Sequence, residues 1–162
     1  MKIKWYGHAC FRVEGARISI VTDPYTPEAA GLDPMEEPAD VVIMSSATDR
    51  FHSCASMVPS DPKILNALEI AHSGPVEVNG VVFEALPIME SLRHKESPAQ
   101  NAIFRFELEG VSVLHLGDLG NPLTGEQLAR LRGRVDVLLA PTGSPSCVVG
   151  TFSEVRMHDL ES

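Results

Sequence analysis

The sequence predicts an α/β fold made of strand hairpins, buried strands and two amphipathic helices, and three observations lead to it. Short runs of alternating or β-branched residues are divided by strong turn signals. The run VVIM at 41–44, and the run that follows Asp136, are apolar throughout, as strands covered on both faces are. The order of elements also repeats: Asp23 and the pair Asp40-Val41 are answered by Asp118 and the pair Asp136-Val137. Such an echo suggests a duplicated strand–helix unit.

Residues 3–6 and 10–13 read as strands, Glu14-Gly15 as a tight turn, and 17–22 as a returning strand that ends at Asp23-Pro24. The proline should force Asp23 toward extended geometry. The proline-rich stretch 26–38 lacks periodicity and should be an irregular surface loop. In 62–73, Ile64, Leu65, Leu68 and Ile70 recur at near-helical spacing behind Pro62, which predicts one amphipathic helix. Asn79-Gly80 between PVEV and VVFEAL is a strong hairpin signal, because a type I′ turn needs positive φ at both central residues. Glu109-Gly110 does the same between 102–108 and 111–116. A second helix is expected over 123–133, with Thr124 as N-cap and Glu126 and Gln127 in its first turn.

A length of 162 residues suits a single domain spanning 1–162, with a core that needs neither disulfide nor structural metal. The composition, 44% hydrophobic and 22% charged with no apolar run near about 18 residues, argues against a membrane span. A formal charge of −9 with no Lys/Arg cluster large enough to offset it argues against nucleic acid as a partner. Because strand-like residues begin at the first positions, no signal peptide is read and the cytoplasm is the expected compartment. Cys10, Cys54 and Cys147 are odd in number and far apart, which fits reduced thiols rather than a disulfide or CxxC metal site.

The stretch 39–53, ADVVIMSSATDRFHS, delivers a polar loop from the end of a buried strand, the place where open α/β sheets collect ligands. Together with KIKWYGHACFRVEG, TDPY, NGVVFEALP, VSVLHLGDLG and VDVLLAPTG, it resembles the metallo-β-lactamase superfamily, in particular small hydrolases similar to ascorbate-6-phosphate lactonase. The resemblance covers residues 1 to about 143. It implies a four-layer αββα sandwich of two similar halves with metal ions at one edge. The helix and strand that would complete the second half have no counterpart in 146–162, which is expected to be an irregular tail. An incomplete sheet edge invites pairing, so a homodimer or higher oligomer is expected, or else a locally soft C-terminal half.

In the family this loop carries a His-x-His-x-Asp-His motif. Aligned without a gap, its ligand places hold Ser46, Thr48, Arg50 and Phe51; slid by one residue, the last place falls on His52 and the others on Ala47, Asp49 and Phe51. A further family ligand corresponds to Glu90, and the bridging Asp to Asp118. The resemblance therefore implies a divalent metal held by His52, Glu90 and Asp118, with Asp49, His52 and Asp118 serving catalysis. Zinc, manganese or iron are the candidates, and a carboxylate-rich set suits manganese, magnesium or iron(II) better than zinc. His8 and Asp23 would sit around this set, Asp23 holding the ligand loop. His94, between Arg93 and Lys95, would meet an anionic small-molecule substrate or stand in reserve for proton transfer.

Each residue also has a plainer reading. Asp118 follows a glycine at a strand end, where an Asp often caps a turn. His52 would then be a helix-entry residue ahead of Ser53, Glu90 a solvated loop carboxylate, and His72 and His115 core or surface filling. Cys54 near His52 suggests a thiol nucleophile, but close neighbours on a loop rarely face one another. Two functional readings follow: a metal-dependent hydrolase of a small ester, lactone or phosphoester, or a catalytically silent relative that binds small molecules or assembles.

Overall fold

A computed structural model of the chain describes residues 1–46, 50–88, 101–120 and 122–141. Among them ten strands form two five-stranded sheets. In the first sheet, β1 (Lys2–Gly7), β2 (Cys10–Glu14), β3 (Ser19–Thr22), β4 (Val41–Met44) and β5 (Lys63–Asn66) lie in sequence order. The first three pair antiparallel, and β3, β4 and β5 pair parallel. The second sheet runs in reverse, from β10 (Val137–Leu139) through β9 (Val111–His115), β8 (Asn101–Leu108) and β7 (Val81–Ile88) to β6 (Val76–Val78). Here β9 and β10 supply the parallel pair. Three short helices accompany the sheets: α1 (Pro27–Ala30), α2 (Ala67–Ser73) and α3 (Gly125–Leu131).

Strand alternation sorts the apolar residues into three layers of core. Val13, Ile20, Val41, Ile43 and Leu65 of the first sheet meet Phe83, Phe104, Phe106, Val113 and Leu139 of the second. The outward residues of the first sheet, Val21, Val42 and Met44, are covered by Tyr25, Met35, Met57 and Val58 from the connecting segments. Those of the second, Leu86, Ile103 and Leu114, are covered by Leu128 and Leu131 of α3. Both β4 faces are therefore dry, which is why VVIM is apolar throughout. Each large side chain so buried contributes about 1.5–3 kcal/mol over leaving it in water.

The repeat seen in the sequence is a repeat of hydrogen bonds. In the first sheet Ser19 donates its backbone N–H and hydroxyl to one carboxylate oxygen of Asp40, at 2.7 and 2.8 Å, and accepts the Asp40 N–H at 3.0 Å. In the second, Ser112 donates its N–H to the Asp136 carboxylate at 2.7 Å and accepts the Asp136 N–H at 2.9 Å. An Asp just ahead of the parallel strand thus clasps its neighbour in both halves. The two hairpins read from Asn79-Gly80 and Glu109-Gly110 are present with positive φ at all four residues. The second helix has the expected capping box, Thr124 and Gln127 exchanging bonds.

Two expectations are corrected. The helix expected over 62–73 is two elements: Lys63–Asn66 is strand β5, pairing Leu65 with Ile43, and only Ala67–Ser73 is helical. Asn66 marks the change, its side chain accepting the Leu68 N–H at 2.9 Å as an N-cap. The Ile64-Leu65 doublet fits either periodicity, and the unpaired edge of β4 decided for the strand. The loop expected over 26–38 contains one helical turn, α1, opened by Pro27. The tail expected over 146–162 lies outside the described residues. Among the described residues no helix is long and apolar enough to cross a membrane.

Glu84 ties β7 to β8 and to the segment after α3, accepting from Arg105 at 2.7 Å and Arg134 at 2.8 Å. Partial burial pushes its carboxyl up, but the hydrogen bond and charge of Arg105 and the charge of Arg134 outweigh this and hold it below the ordinary glutamate range. A lowered carboxyl stabilises the fold above the unfolded-state value near about 4.3 and loses that contribution as pH falls through the folded value. Glu84→Gln is therefore expected to lower the urea midpoint at pH 7, with the gap to the parent closing below about pH 4. A gap of constant size across that range would contradict it.

Candidate active site at the junction of the two sheets

The site is built on Asp23, the residue after β3, which is fully buried. One carboxylate oxygen accepts the Ser45 N–H at 2.6 Å; the other accepts the Ser45 hydroxyl at 2.8 Å and meets His115 Nε2 at 2.8 Å. Ser45 follows β4 and His115 ends β9, so one carboxylate joins both sheets. The Ser45 carbonyl then accepts the Ala102 N–H of β8 at 3.0 Å. Asp23 is not extended as Pro24 would suggest; its φ is +40°, in the left-handed region. Three hydrogen bonds to the carboxylate over-determine this conformation.

His115 Nδ1 is buried and has no hydrogen-bond partner among the described residues, with the ring lying 4.8 Å from Phe104 and 6.0 Å from Phe11. A carboxylate can only accept, so the His115 Nε2 that faces Asp23 is the nitrogen that donates. Two residues on, Gly117 has φ +52°, and a Cβ there would stand 2.8 Å from the Ser45 side chain. Only glycine lets the loop after β9 pass this close to the loop after β4.

The close approach brings Asp118 and His52 together. His52 is buried, Asp118 is partly exposed, and His52 Nε2 lies 3.4 Å from Asp118 Oδ2. The loop that carries His52 is pinned back on the first sheet: Cys54 donates its N–H to the Pro24 carbonyl at 2.7 Å and Thr26 donates to Arg50 at 2.9 Å. The Arg50 guanidinium lies 5.1 Å from the centroid of the Phe51 ring, which sits 5.4 Å from the His8 ring. His8 is exposed in the β1–β2 turn with φ +47°. Its ring also faces Tyr25, at 6.0 Å.

Of the residues singled out from sequence, the structure brings His52 and Asp118 together, ties Asp23 to Ser45 and His115, and sets the His8 ring against Phe51, the neighbour of His52. Asp49, Glu90 and His94 lie outside the described residues. His115 was read as filling and is instead the partner of Asp23 across the sheets. Ser45 was not singled out at all; its signal is a hydroxyl directly after an apolar strand.

Among the described residues no group of three His, Cys, Asp or Glu side chains is close enough to hold a metal ion. The pair that is present fits one. Its separation of 3.4 Å matches the edge, roughly 3.4 Å, of a tetrahedron of ligands about 2.1 Å from a central ion.

Two outcomes test the buried cluster. Asp23→Asn leaves Ser45 and His115 short of an acceptor and is expected to cost about 3 kcal/mol or more in urea unfolding; a loss under about 1 kcal/mol would contradict the role given to Asp23. Burial, with the nearby Asp23 charge second, pushes the Cys10 thiol far above the ordinary range. Peptide mapping after thiol labelling at neutral pH should find Cys10 unmodified in native protein and modified in urea; labelling of the native protein would contradict this.

Comparison with known proteins places these features in a family. A family model for the beta-lactamase superfamily domain matches residues 2–159. A UPF0173 metal-dependent hydrolase from Methanoculleus marisnigri is 31% identical over 166 residues, covering 88% of this chain and 69% of the relative. A namesake from Thermococcus onnurineus is 28% identical over 163 residues, covering 88% and 72%. The structure of a Thermotoga maritima protein, assigned as a Zn-dependent hydrolase of the metallo-β-lactamase superfamily, is similar with a TM-score of 0.62 and 32% identity. That match covers 84% of this chain but only 58% of the Thermotoga chain. Igni18, a metallo hydrolase from Ignicoccus hospitalis, shares the fold at a TM-score of 0.61 and 18% identity, covering 89% and 71%. The sandwich of paired half-units and the matched span together make this chain a member of the metallo-β-lactamase superfamily.

Proposed function

We propose that the chain is a metal-dependent hydrolase acting on a small-molecule ester, lactone or phosphoester. The observation that carries this reading is the approach of His52 Nε2 to Asp118 Oδ2, 3.4 Å apart at the junction of the two sheets. Membership of the superfamily supports it, as do relatives named metal-dependent hydrolases. His52 and Asp118 hold the divalent ion, and Glu90 is the proposed third ligand. A bound ion supplies Lewis acidity and a more acidic water.

The protein's own residues do the rest. Burial of His52 shields the imidazole from bulk water, while Asp118 is partly exposed and so open to a small molecule from solvent. Asp49, in the same loop as His52, is the proposed proton carrier for the reacting water. The Asp23 cluster sets the distance between the two loops and so the spacing of the two ligand atoms. With one imidazole and carboxylates as donors, manganese or iron(II) suits the set better than zinc.

Protein purified without chelator is expected to carry close to one equivalent of divalent metal and to hydrolyse activated esters faster when manganese is added. His52→Ala and Asp118→Ala should each lose bound metal and at least roughly a hundredfold in metal-stimulated turnover. No stoichiometric metal and no metal-stimulated turnover in the parent would overturn the reading and favour the silent binding module.

A further inference from the structure

We propose that Arg50 is the anchor for an anionic group of the substrate, a carboxylate or a phosphate held beside the reacting bond. Its guanidinium is exposed and, among the described residues, paired with no carboxylate. Arg12, Arg105 and Arg134 each have an acidic partner, while Arg17, Arg130 and Arg132, like Arg50, have none among the described residues; what distinguishes Arg50 is its aromatic neighbour. Arg50 instead lies over Phe51, whose ring lies against His8, whose ring faces Tyr25. Tyr25 roots this stack in the core: it is 1% exposed, with its hydroxyl 2.8 Å from the Asp33 carbonyl and 3.1 Å from that of Tyr6.

The backbone of Arg50 is fixed as well, its carbonyl accepting the Thr26 N–H at 2.9 Å. A long side chain normally loses rotamer freedom on binding a ligand; one already laid against an aromatic ring loses less. The planar guanidinium presents paired N–H donors that match the two oxygens of a carboxylate or phosphate. Position completes the case. Arg50 is two residues from His52 and so within about 7.6 Å of it at Cα, one small-molecule length from the site. A fixed cation beside a metal centre is unfavourable by itself, and an anionic ligand lying between the two offsets the repulsion. In a chain of net charge −9 it is also a local attractor for small anions.

The location of the reacting bond rests on the hydrolase reading, but anion binding by Arg50 does not, so the test has two arms on the full chain. In the first, inorganic phosphate and glutarate are titrated separately into the parent, Arg50→Gln and Arg50→Lys, followed calorimetrically. Affinity for the preferred anion should fall roughly ten- to hundredfold in Arg50→Gln and less in Arg50→Lys, which keeps the charge but not the fork. The tighter of the two anions identifies the group recognised. In the second, kcat/KM is compared for mono-p-nitrophenyl glutarate and p-nitrophenyl pentanoate, which differ at the far end of the acyl chain. The anionic-to-neutral ratio should fall by a similar factor in Arg50→Gln. Anion affinity equal in parent and variants, or a ratio that does not change, overturns the proposal. Weakened anion binding with no ester hydrolysed by the parent upholds the anchor and removes the hydrolase reading instead.

Discussion

The buried carboxylate of Asp23 ties the two sheets together at the candidate site, alongside the apolar core between them and the exposed carboxylate of Glu109, which accepts from Ala16 and the N-terminus. Asp23 accepts from Ser45 at the end of β4 and from His115 at the end of β9, and the three residues are buried together. Charge placed in a dry interior is costly unless hydrogen bonds satisfy it, so the cluster tolerates little displacement. Gly117 then passes against Ser45 with no room for a side chain, which holds the start of the segment bearing Asp118 against the end of β4. The spacing of the two candidate ligands is a consequence of packing beneath them. Stability and site geometry therefore share one set of bonds.

The fold was largely legible in the sequence because its main signals are local. Asn79-Gly80 and Glu109-Gly110 set hairpins through backbone preferences that do not depend on tertiary context, and Thr124 with Gln127 closes a capping box within one turn. The duplicated Asp-Val pairs were readable as a pattern, and their cause became visible only in three dimensions, as clasps to Ser19 and Ser112. Where local signals were ambiguous, tertiary pairing decided. Ile64 and Leu65 suit a helix or a strand, and the free edge of β4 drew them into the sheet. Asp23 went further against its local preference, since three hydrogen bonds outweigh the restriction that Pro24 imposes.

The site was legible in part. His52 and Asp118 could be singled out because a superfamily pattern gave them places, and those places converge. His115 could not, since nothing in VSVLHLGD separates a core histidine from one paired with a carboxylate 92 residues earlier. The residues 50–54 that follow β4 also make physical sense together. Beside the buried His52, the exposed Arg50 lies over Phe51, whose ring meets that of His8. One loop thus carries a buried imidazole and an exposed cation.

The central claim is that His52 and Asp118 share one metal ion. Anomalous diffraction at the manganese and zinc edges, from crystals of the full chain grown with each metal, tests it most directly. The account predicts one anomalous peak about 2.0–2.3 Å from both His52 Nε2 and Asp118 Oδ2. A crystal with no peak between the two side chains, or with the ion bound elsewhere while they remain in mutual contact, would contradict it.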